Sequence, residues 1–544
     1  MSRDVDRKLI GGRWVRWNEG RAVDAYARGL WVRGTLADSL AEAAQRTPRR
    51  VVAIDGQCRL DCRTLCHQAT ALAHTLSDRI PVGSVVSFML PNWHEAIVIY
   101  LAATMAGMAV NPILPSLRDR ELRFILEDAD SRMIFVPFHF GRHDYASMLA
   151  RVTTEMDSPP EVAVVRGDAG CGYTCYTSLL EQQESTTGLP VLDSDAVRMI
   201  LYTSGTTGRP KGVLHSHNSM HALICQIRDS WRVRPGDTFL VPSPIAHIGG
   251  SIYAFECPLL LGTTAVLMDR WDADAAVRLM RAERCTHMAG ATPFLEQMLA
   301  AAKVAGTRLP DLKLFVCGGA SVSASLIRSA ANYFERAAVT RVYGSTEVPV
   351  TTVGVPDVGD IGHAADTDGR AGLAEIKLAA HAAAPAGGGE ICARGPQMLV
   401  GYLHPEDEDE SFDADGYFRT GDLAQWVDDD YLIVTGRAKD IIIRNGENIS
   451  PSEVEDLLVG HPGIAEVAIV GLPDARTGEH ACAVIVPAAL PGPDVANLSR
   501  FLAAQGVAKF KIPEQVAIWE RLPKNDAGKV LKHQIKTALT KADG

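Results

Sequence analysis

The sequence predicts an α/β fold: a large, multi-subdomain N-terminal domain with mainly parallel sheets and a β-rich subdomain, then a small α+β C-terminal domain. Three observations predict it. From about Ser84 to Val342, short β-branched runs alternate with helical patterns, the order of a largely parallel sheet covered on both faces. Beyond this stretch, glycine-punctuated short strands flank a low-complexity loop, Ala379 to Gly389. After Thr435-Gly436 the pattern resets, and the remaining residues carry their own apolar strands across what reads as a narrow hinge.

Near the N-terminus, Val51 to Ile54 followed by Asp55-Gly56 reads as a strand entering a turn, which places Cys58 before any helix. Strands are expected at Val85–Leu90, Met133–Val136, Val162–Val165, Met199–Tyr202, Thr238–Val241, Ala265–Met268 and Lys313–Val316. Helices are expected at Asp272–Glu283 and Ser323–Glu335. The longest apolar run, Ala96 to Val110, has 15 residues interrupted by Thr104 and Gly107, too short to span a bilayer, and is read as a buried helix. Ser450-Pro451-Ser452-Glu453 has serine at the N-cap, proline at N1 and glutamate at N3, a helix start. Strands follow at Ala465–Val470 and Ala481–Val486.

Composition excludes several classes of function. Of 544 residues, 47% are apolar and 22% charged, which rules out a disordered or fibrous chain. The 54 lysines and arginines against 65 aspartates and glutamates leave a net charge of −11, so a nucleic-acid binder is not expected. MSRDVDRKLIGG has no apolar stretch to serve as an export signal, and the 11 cysteines are an odd number, so free thiols in the reducing cytoplasm are expected. Cys58, Cys62, Cys66 and His67 lack the zinc spacing pattern. Glu406 to Glu410 (EDEDE) reads as a solvated surface loop.

The segment Leu201 to Gly212 (LYTSGTTGRPKG) carries the most chemistry. A strand runs into hydroxyl and glycine residues, which bring backbone and donors close to an anion, and Lys211 adds a point charge. The spacing departs from a Walker A loop, because Gly208 is followed by Arg209-Pro210-Lys211-Gly212. Val316 to Ser321 follows a strand and precedes a helix, the crevice where open α/β sheets bind ligands. Arg341 to Glu347 offers an aromatic face for a base and a carboxylate for a cation. Tyr417 to Asp422 places an aspartate in a turn, suited to a diol, and Lys529 stands in a loop near the end of the chain.

Taken together and in order, TSGTTGRPKG (203–212), CGGAS (317–321), YGSTE (343–347), GE (389–390) with GPQMLVGY (395–402), YFRTGDL (417–423), GRAKDIIIRNGENISPSEVE (436–455) and PKNDAGKVLK (523–532) resemble the adenylate-forming superfamily of acyl-CoA synthetases, peptide-synthetase adenylation domains and luciferases. The resemblance runs from about Thr35 to Lys536. It implies an N-terminal adenylation domain over 1–436 and a mobile C-terminal domain over 437–544. It also implies ATP, Mg²⁺ and coenzyme A as cofactors or substrates. The implied reaction is attack of a carboxylate on the ATP α-phosphate, with loss of pyrophosphate, then transfer of the acyl group from AMP to a thiol.

The resemblance assigns roles residue by residue. Thr203, Ser204, Gly205, Thr206, Thr207 and Lys211 would hold the β- and γ-phosphates. Gly319, Ala320 and Tyr343 would sandwich the adenine, Thr346 would touch the α-phosphate, and Ser321, Gly344 and Ser345 would belong to the same ATP/AMP site. Glu347 would bind Mg²⁺, Asp422 the ribose hydroxyls with Arg437 nearby, and Lys529 would bridge the carboxylate and the α-phosphate. Lys439 falls at the pivot, Gly446 on the pantetheine tunnel, and Phe510 and Lys511 on the patch that meets the CoA nucleotide. His247 would gate the carboxylate site. Ile248, Gly249, Gly250, Thr292, Pro293, Cys317 and Gly318 would line an acyl pocket without charged groups, so an uncharged acyl group is expected.

Within the superfamily, Pro91 to Glu95, Asn111 to Ser116 and Arg118 to Leu122 resemble cyclohexanecarboxylate- and medium-chain-type acyl-CoA ligases. Tyr26 to Trp31 and Ala246-His247 resemble aryl-acid enzymes that load carrier proteins, but Ile248 stands where those usually carry a polar amide. The expectation is an acid–CoA ligase. The alternative is a stand-alone enzyme that loads a carrier-protein phosphopantetheine, and a second copy of the chain is a further candidate partner.

Overall fold

The computed structural model describes residues 7–167, 170, 172–181, 188–203, 209–319, 322–385, 387–444, 447–474, 477–525 and 528–542. All seven runs expected as strands between residues 85 and 316 are strands. They fall into two sheets. In the first, Thr174–Cys175, Glu161–Val165, Ser131–Pro137, Val85–Phe88, Ala109–Pro112 and Val197–Thr203 run parallel in that order, and Lys211–Ser216 and Gly401–Tyr402 add two antiparallel strands. In the second, Ala338–Arg341, Leu314–Cys317, His287–Gly290, Thr238–Val241, Thr264–Leu267 and Val51–Asp55 are parallel, and Cys58–Asp61 closes the edge antiparallel.

The apolar run at Ala96–Val110 divides differently from expectation. Its helix, His94–Met105, stops before Gly107, whose φ of +72° reverses the chain, and Ala109–Pro112 continues as a strand. Every residue from Glu95 to Thr104 is buried. The reason is that the helix packs on Val51–Asp55 of one sheet and on Val85–Phe88 and Ala109–Pro112 of the other. An all-round apolar helix is what such a position requires. Cys58 precedes its helix, Cys62–Arg79, whose N-cap Asp61 accepts from the Thr64 amide. The ten described cysteines are free thiols.

A four-stranded antiparallel sheet follows: Glu375–Ala379, Gly389–Arg394, Phe418–Val427 and Tyr431–Arg437. The small-residue loop joins its first two strands. The C-terminal segment forms a separate mixed sheet of Glu447–Ile449, Ile442–Arg444, Gly478–Pro487, Ile464–Asp474 and Gln515–Ile518. The helix Pro451–Leu458 starts at the expected Ser450 cap. Hydroxyls of Ser450 and Ser452 also donate to the Thr435 carbonyl, at 2.5 and 2.6 Å, tying this helix to the last strand of the antiparallel sheet. No helix among the described residues is long and apolar enough to cross a membrane.

Expectation fails at Glu406 to Glu410. The run opens a 3₁₀ turn, Pro405–Glu408, and two of its carboxylates are drawn inward. Glu408 is almost fully buried, binds Arg7 and Arg16 at 2.8 Å each, and accepts from the Tyr402 amide. Asp407 takes Arg209 at 2.9 Å. Cations distant in sequence compensate the desolvation that a solvated-loop reading assumes is avoided.

One buried ion pair locks the segment that presents the site. After Ile248–Ser251 the chain makes a π-helical turn, Ile252–Glu256, an irregularity frequent at functional sites. Its Glu256 reaches across to Arg198 at 3.0 Å and accepts from the Tyr100 hydroxyl at 2.8 Å, both carboxylate and guanidinium being within 2% of full burial. Glu256→Ala leaves the Arg198 charge alone in the core, and a loss of about 3–5 kcal/mol in urea unfolding free energy is expected. The double variant Arg198→Met/Glu256→Leu removes both charges and should recover most of that loss. A Glu256→Ala protein as stable as the parent would show that the pair does not anchor the turn.

Candidate active site

The site assembles at the C-terminal ends of the parallel strands, where backbone ends and loops leave a crevice. Strand Val197–Thr203 pairs antiparallel with Lys211–Ser216, so Thr203 and Lys211 face each other across the hairpin. Ser204, Gly205, Thr206 and Thr207, on the loop between them, lie outside the described residues. Lys211 donates to the Asp407 carbonyl at 3.2 Å and lies 3.7 Å from its carboxylate. Arg209 binds Asp407 and approaches Asp128 at 3.5 Å. The cations flanking the loop are therefore matched by carboxylates, which any polyanion entering here must replace.

The second sheet contributes Gly318 and Gly319 just past strand Leu314–Cys317. Gly319 has φ +82°, a conformation that L side chains rarely adopt. A Cβ on Gly318 would lie 2.9 Å from a Val342 methyl. Ala320 and Ser321 lie outside the described residues. Tyr343, Gly344, Ser345, Thr346 and Glu347 follow strand Ala338–Arg341. A Cβ on Gly344 would sit 2.6 Å from the Val350 amide nitrogen, so only glycine lets this turn close. The Thr346 carbonyl accepts from His215 at 2.8 Å, and Glu347 accepts from the Tyr402 hydroxyl at 3.1 Å. Neither partner was singled out from sequence: Tyr402 stands in the quoted GPQMLVGY segment, but nothing in its spacing pointed to Glu347.

Asp422 and Arg437 are opposed in the antiparallel register and bonded at 2.8 Å, fifteen residues apart in the chain. The Tyr343 hydroxyl donates to the other Asp422 oxygen at 2.7 Å. Burial, then the Asp422 charge, pushes the Tyr343 phenol well above its ordinary range, so it stays a donor. From the C-terminal part, the loop bearing Lys529 enters the same cleft: a Cβ on Gly528 would touch Pro293 at 3.4 Å. Lys529 remains open to solvent, yet crowding in the cleft and the nearby Arg437 charge push its ammonium below the ordinary lysine range, with Asp422 and Asp440 opposing. Lys439 is exposed in the 3₁₀ turn Ala438–Asp440 that links the two parts.

His247 caps the short helix Ile248–Ser251. Burial holds its imidazole below the ordinary histidine range, and its buried Nε2 has no hydrogen-bond partner among the described residues. An orphaned buried polar atom of this kind marks a place for a polar ligand atom. Of the two glycines expected to leave room beside it, only Gly249 does. A Cβ there would meet nothing within 4 Å, whereas one on Gly250 would strike the Pro244 carbonyl oxygen at 2.3 Å. Thr292 and Pro293 begin the helix Thr292–Val304. Cys317 has no exposed surface, and burial pushes its thiol up to about 12. Ile248 is half-buried against the main core.

The CoA-patch residues fall in the C-terminal part. Phe510 packs on that domain's own core, and Lys511 is bound by Glu453 at 2.7 Å. Gly446 lies outside the described residues.

Residues 40–403 match the family of AMP-binding enzymes, and residues 453–529 match the AMP-binding enzyme C-terminal domain. The chain belongs to the AMP-binding enzyme family. This AMP-binding enzyme is 32% identical over 536 residues to a medium-chain fatty-acid–CoA ligase of Escherichia coli, covering 96% of this chain and 93% of that one. It is 31% identical to an indoleacetate–CoA ligase of Aromatoleum aromaticum, covering 84% and 89%. Its structure is similar to ATP-bound MatB from Rhodopseudomonas palustris, with a TM-score of 0.79, 27% identity, and coverage of 92% and 98%.

His215 supplies a pH dependence. Fully buried and donating to Thr346, it is pushed down to about 4 from an ordinary 6.5, burial being the main cause. The unfolded chain therefore binds a proton that the folded one refuses between these values. Stability is full above pH 6.5 and falls as pH drops toward 4, by about 3 kcal/mol from this residue alone. His215→Gln, which keeps a donor, should flatten that part of the profile in urea titrations run from pH 7 to 4; an unchanged slope would assign the acid sensitivity elsewhere.

Proposed function

We propose that this enzyme is an ATP-dependent carboxylic acid–CoA ligase acting through an acyl-AMP. The observation that carries the reading is the entry of the Lys529 loop into the cleft: a Cβ on Gly528 would touch Pro293 at 3.4 Å, and the charges of Arg437 and Asp422, themselves paired, act on Lys529. In this reading residues 1–436 bind acid and ATP, and residues 437–544 swing about Lys439. Asp422 takes the ribose hydroxyls while Tyr343, Gly319 and Ala320 enclose the base. Thr203 through Lys211 hold the β- and γ-phosphates.

Two anions must meet, so charge compensation and positioning provide most of the catalysis. Lys529, a compact cation, reaches one oxygen of the carboxylate and one of the α-phosphate. The carboxylate oxygen attacks the α-phosphorus and pyrophosphate leaves. In the second step a thiolate attacks the acyl carbonyl and AMP leaves with its phosphate oxygen. Neutral His247, in the tautomer protonated at Nε2, donates that N–H to the carboxylate and shields the acyl side from water. Glu347, steadied by Tyr402, is an oxygen donor beside the phosphate loop and fits Mg²⁺, which when bound would neutralise phosphate charge. A reducing cytoplasm suits the free thiols.

Lys529→Ala should lower acyl-AMP formation by about 10²–10³ or more, because a preorganised charge contact is lost. Conversion of supplied acyl-AMP to acyl-CoA should persist. Acid-dependent pyrophosphate exchange followed in both half-reactions checks this, and normal adenylation by the variant would remove Lys529 from the mechanism.

The open space at Gly249, with the apolar Ile248 beside it, favours an apolar acyl group, which gains about 25 cal/mol per Å² buried. A ring hydroxyl left unpaired there costs about 1–3 kcal/mol. Cyclohexanecarboxylate, benzoate or a C6–C10 fatty acid should therefore exceed salicylate and 2,3-dihydroxybenzoate in kcat/KM, with CoA as acceptor. Preference for a hydroxybenzoate with transfer only to a carrier protein would establish the carrier-loading alternative instead.

A further inference from the structure

Between strand Thr238–Val241 and the short helix that His247 caps, the chain runs Pro242-Ser243-Pro244-Ile245-Ala246. The prolines fix φ and carry no amide hydrogen, so at 242 and 244 the sheet ladder has no donor to continue with. The polar backbone groups of this segment must then find partners outside it. One side chain supplies them. Asn92 Nδ2 donates to the Val241 carbonyl at 3.0 Å and to the Ser243 carbonyl at 2.9 Å, and Asn92 Oδ1 accepts from the Ile245 amide at 3.0 Å. Two carbonyls on one side and an N–H on the other leave the amide a single orientation. Asn92 is buried, and its whole hydrogen-bonding capacity here goes to the residues leading to His247. The Pro244 carbonyl in turn accepts from the His247 amide at 3.0 Å. The Ser243 and Pro244 carbonyl oxygens are also the atoms that fill the place of a side chain at Gly250. The path of this one segment therefore sets both the imidazole and the start of the helix it caps.

Asn92 is itself held firmly. It stands between first-sheet strand Val85–Phe88 and helix His94–Met105. The next residue, Trp93, reaches Asp269 at 3.4 Å, carries the Arg166 guanidinium over its ring at 4.2 Å, and meets Phe140 edge-on. The His94 amide donates to Asp55 at 3.1 Å, and Arg166 pairs with Asp55 and, at 2.7 Å, with Glu95. Asp55 and Asp269 lie at strand ends of the second sheet. Three successive residues thus fasten the turn that presents Asn92, and a group fixed in this way can hold a neighbour to the fraction of an ångström that reacting geometry demands.

We propose that Asn92 is a positioning residue that sets His247 against the substrate acid, an inference that rests on the reading of His247 as the group facing the carboxylate.

The test reads acid-dependent pyrophosphate exchange with cyclohexanecarboxylate, benzoate and octanoate. Asn92→Ala, and Asn92→Asp, which keeps the shape and the acceptor but loses both donors, should each raise KM for the acid about tenfold, the scale of a lost buried hydrogen bond. KM for ATP should stay unchanged, as should KM for CoA in thioester formation from supplied acyl-AMP. KM does not depend on the fraction of molecules folded, so partial misfolding lowers only the rate at saturation and leaves this comparison intact. In a His247→Ala background, Asn92→Ala should raise KM for the acid no further, because its effect passes through the imidazole. An unchanged KM for the acid in both variants, an equal rise for acid and ATP, or a full additional rise on His247→Ala would each overturn the assignment. A parent enzyme that exchanges with none of these acids, or a His247→Ala enzyme whose KM for the acid equals the parent's, would overturn instead the reading on which the inference stands, a distinct result.

Discussion

A buried carboxylate organises this molecule. Asp422 has almost no exposed surface, and it is tolerated there because the Arg437 guanidinium and the Tyr343 hydroxyl each take one oxygen. Those two partners come from different structural units. Tyr343 ends the sixth parallel strand of the second sheet; Arg437 ends the last strand of the antiparallel sheet, three residues before the chain leaves for the C-terminal domain. One group thus ties the end of the second sheet to the β-rich sheet and to the chain leading into the C-terminal part. Lys529, arriving from beyond the hinge, enters the field of the same pair.

The remaining polar contacts serve the same assembly. Arg198, Glu256 and Tyr100 pin the π-helical turn that follows His247 to the helix between the sheets. His215 and Tyr402 hold the backbone at Thr346 and the carboxylate of Glu347. Asp407 and Asp128 pair with Arg209 and Lys211 at the base of the hairpin between strands Val197–Thr203 and Lys211–Ser216. In each case a charge or donor is kept in place by a partner far away in sequence, so the site is preorganised by the tertiary fold rather than by local turns.

The acyl side has a different logic. Two adjacent glycines carry different constraints: Gly250 because carbonyl oxygens of Ser243 and Pro244 occupy the place of a side chain, Gly249 with open space before it. Adjacent identical residues cannot be told apart without the backbone around them. The same holds for the acidic run at 406–410, where Asp407 and Glu408 turn inward to arginines while Glu406, Asp409 and Glu410 face water.

The sequence by itself determined the alternation of strands and helices, the Ser450 cap, and the order of motifs that identifies the family. These are local in origin: period-2 and period-3.6 patterns and cap chemistry act over a few residues. Only the tertiary structure decided which charges meet. Strand register, shifted by a bulge between Leu423 and Ala424, sets Arg437 opposite Asp422, and the break at Gly107 turned an apparent helix into a helix and a strand. Electrostatic energy falls with distance in space rather than along the chain, and that is why one-dimensional patterns leave such partners undetermined.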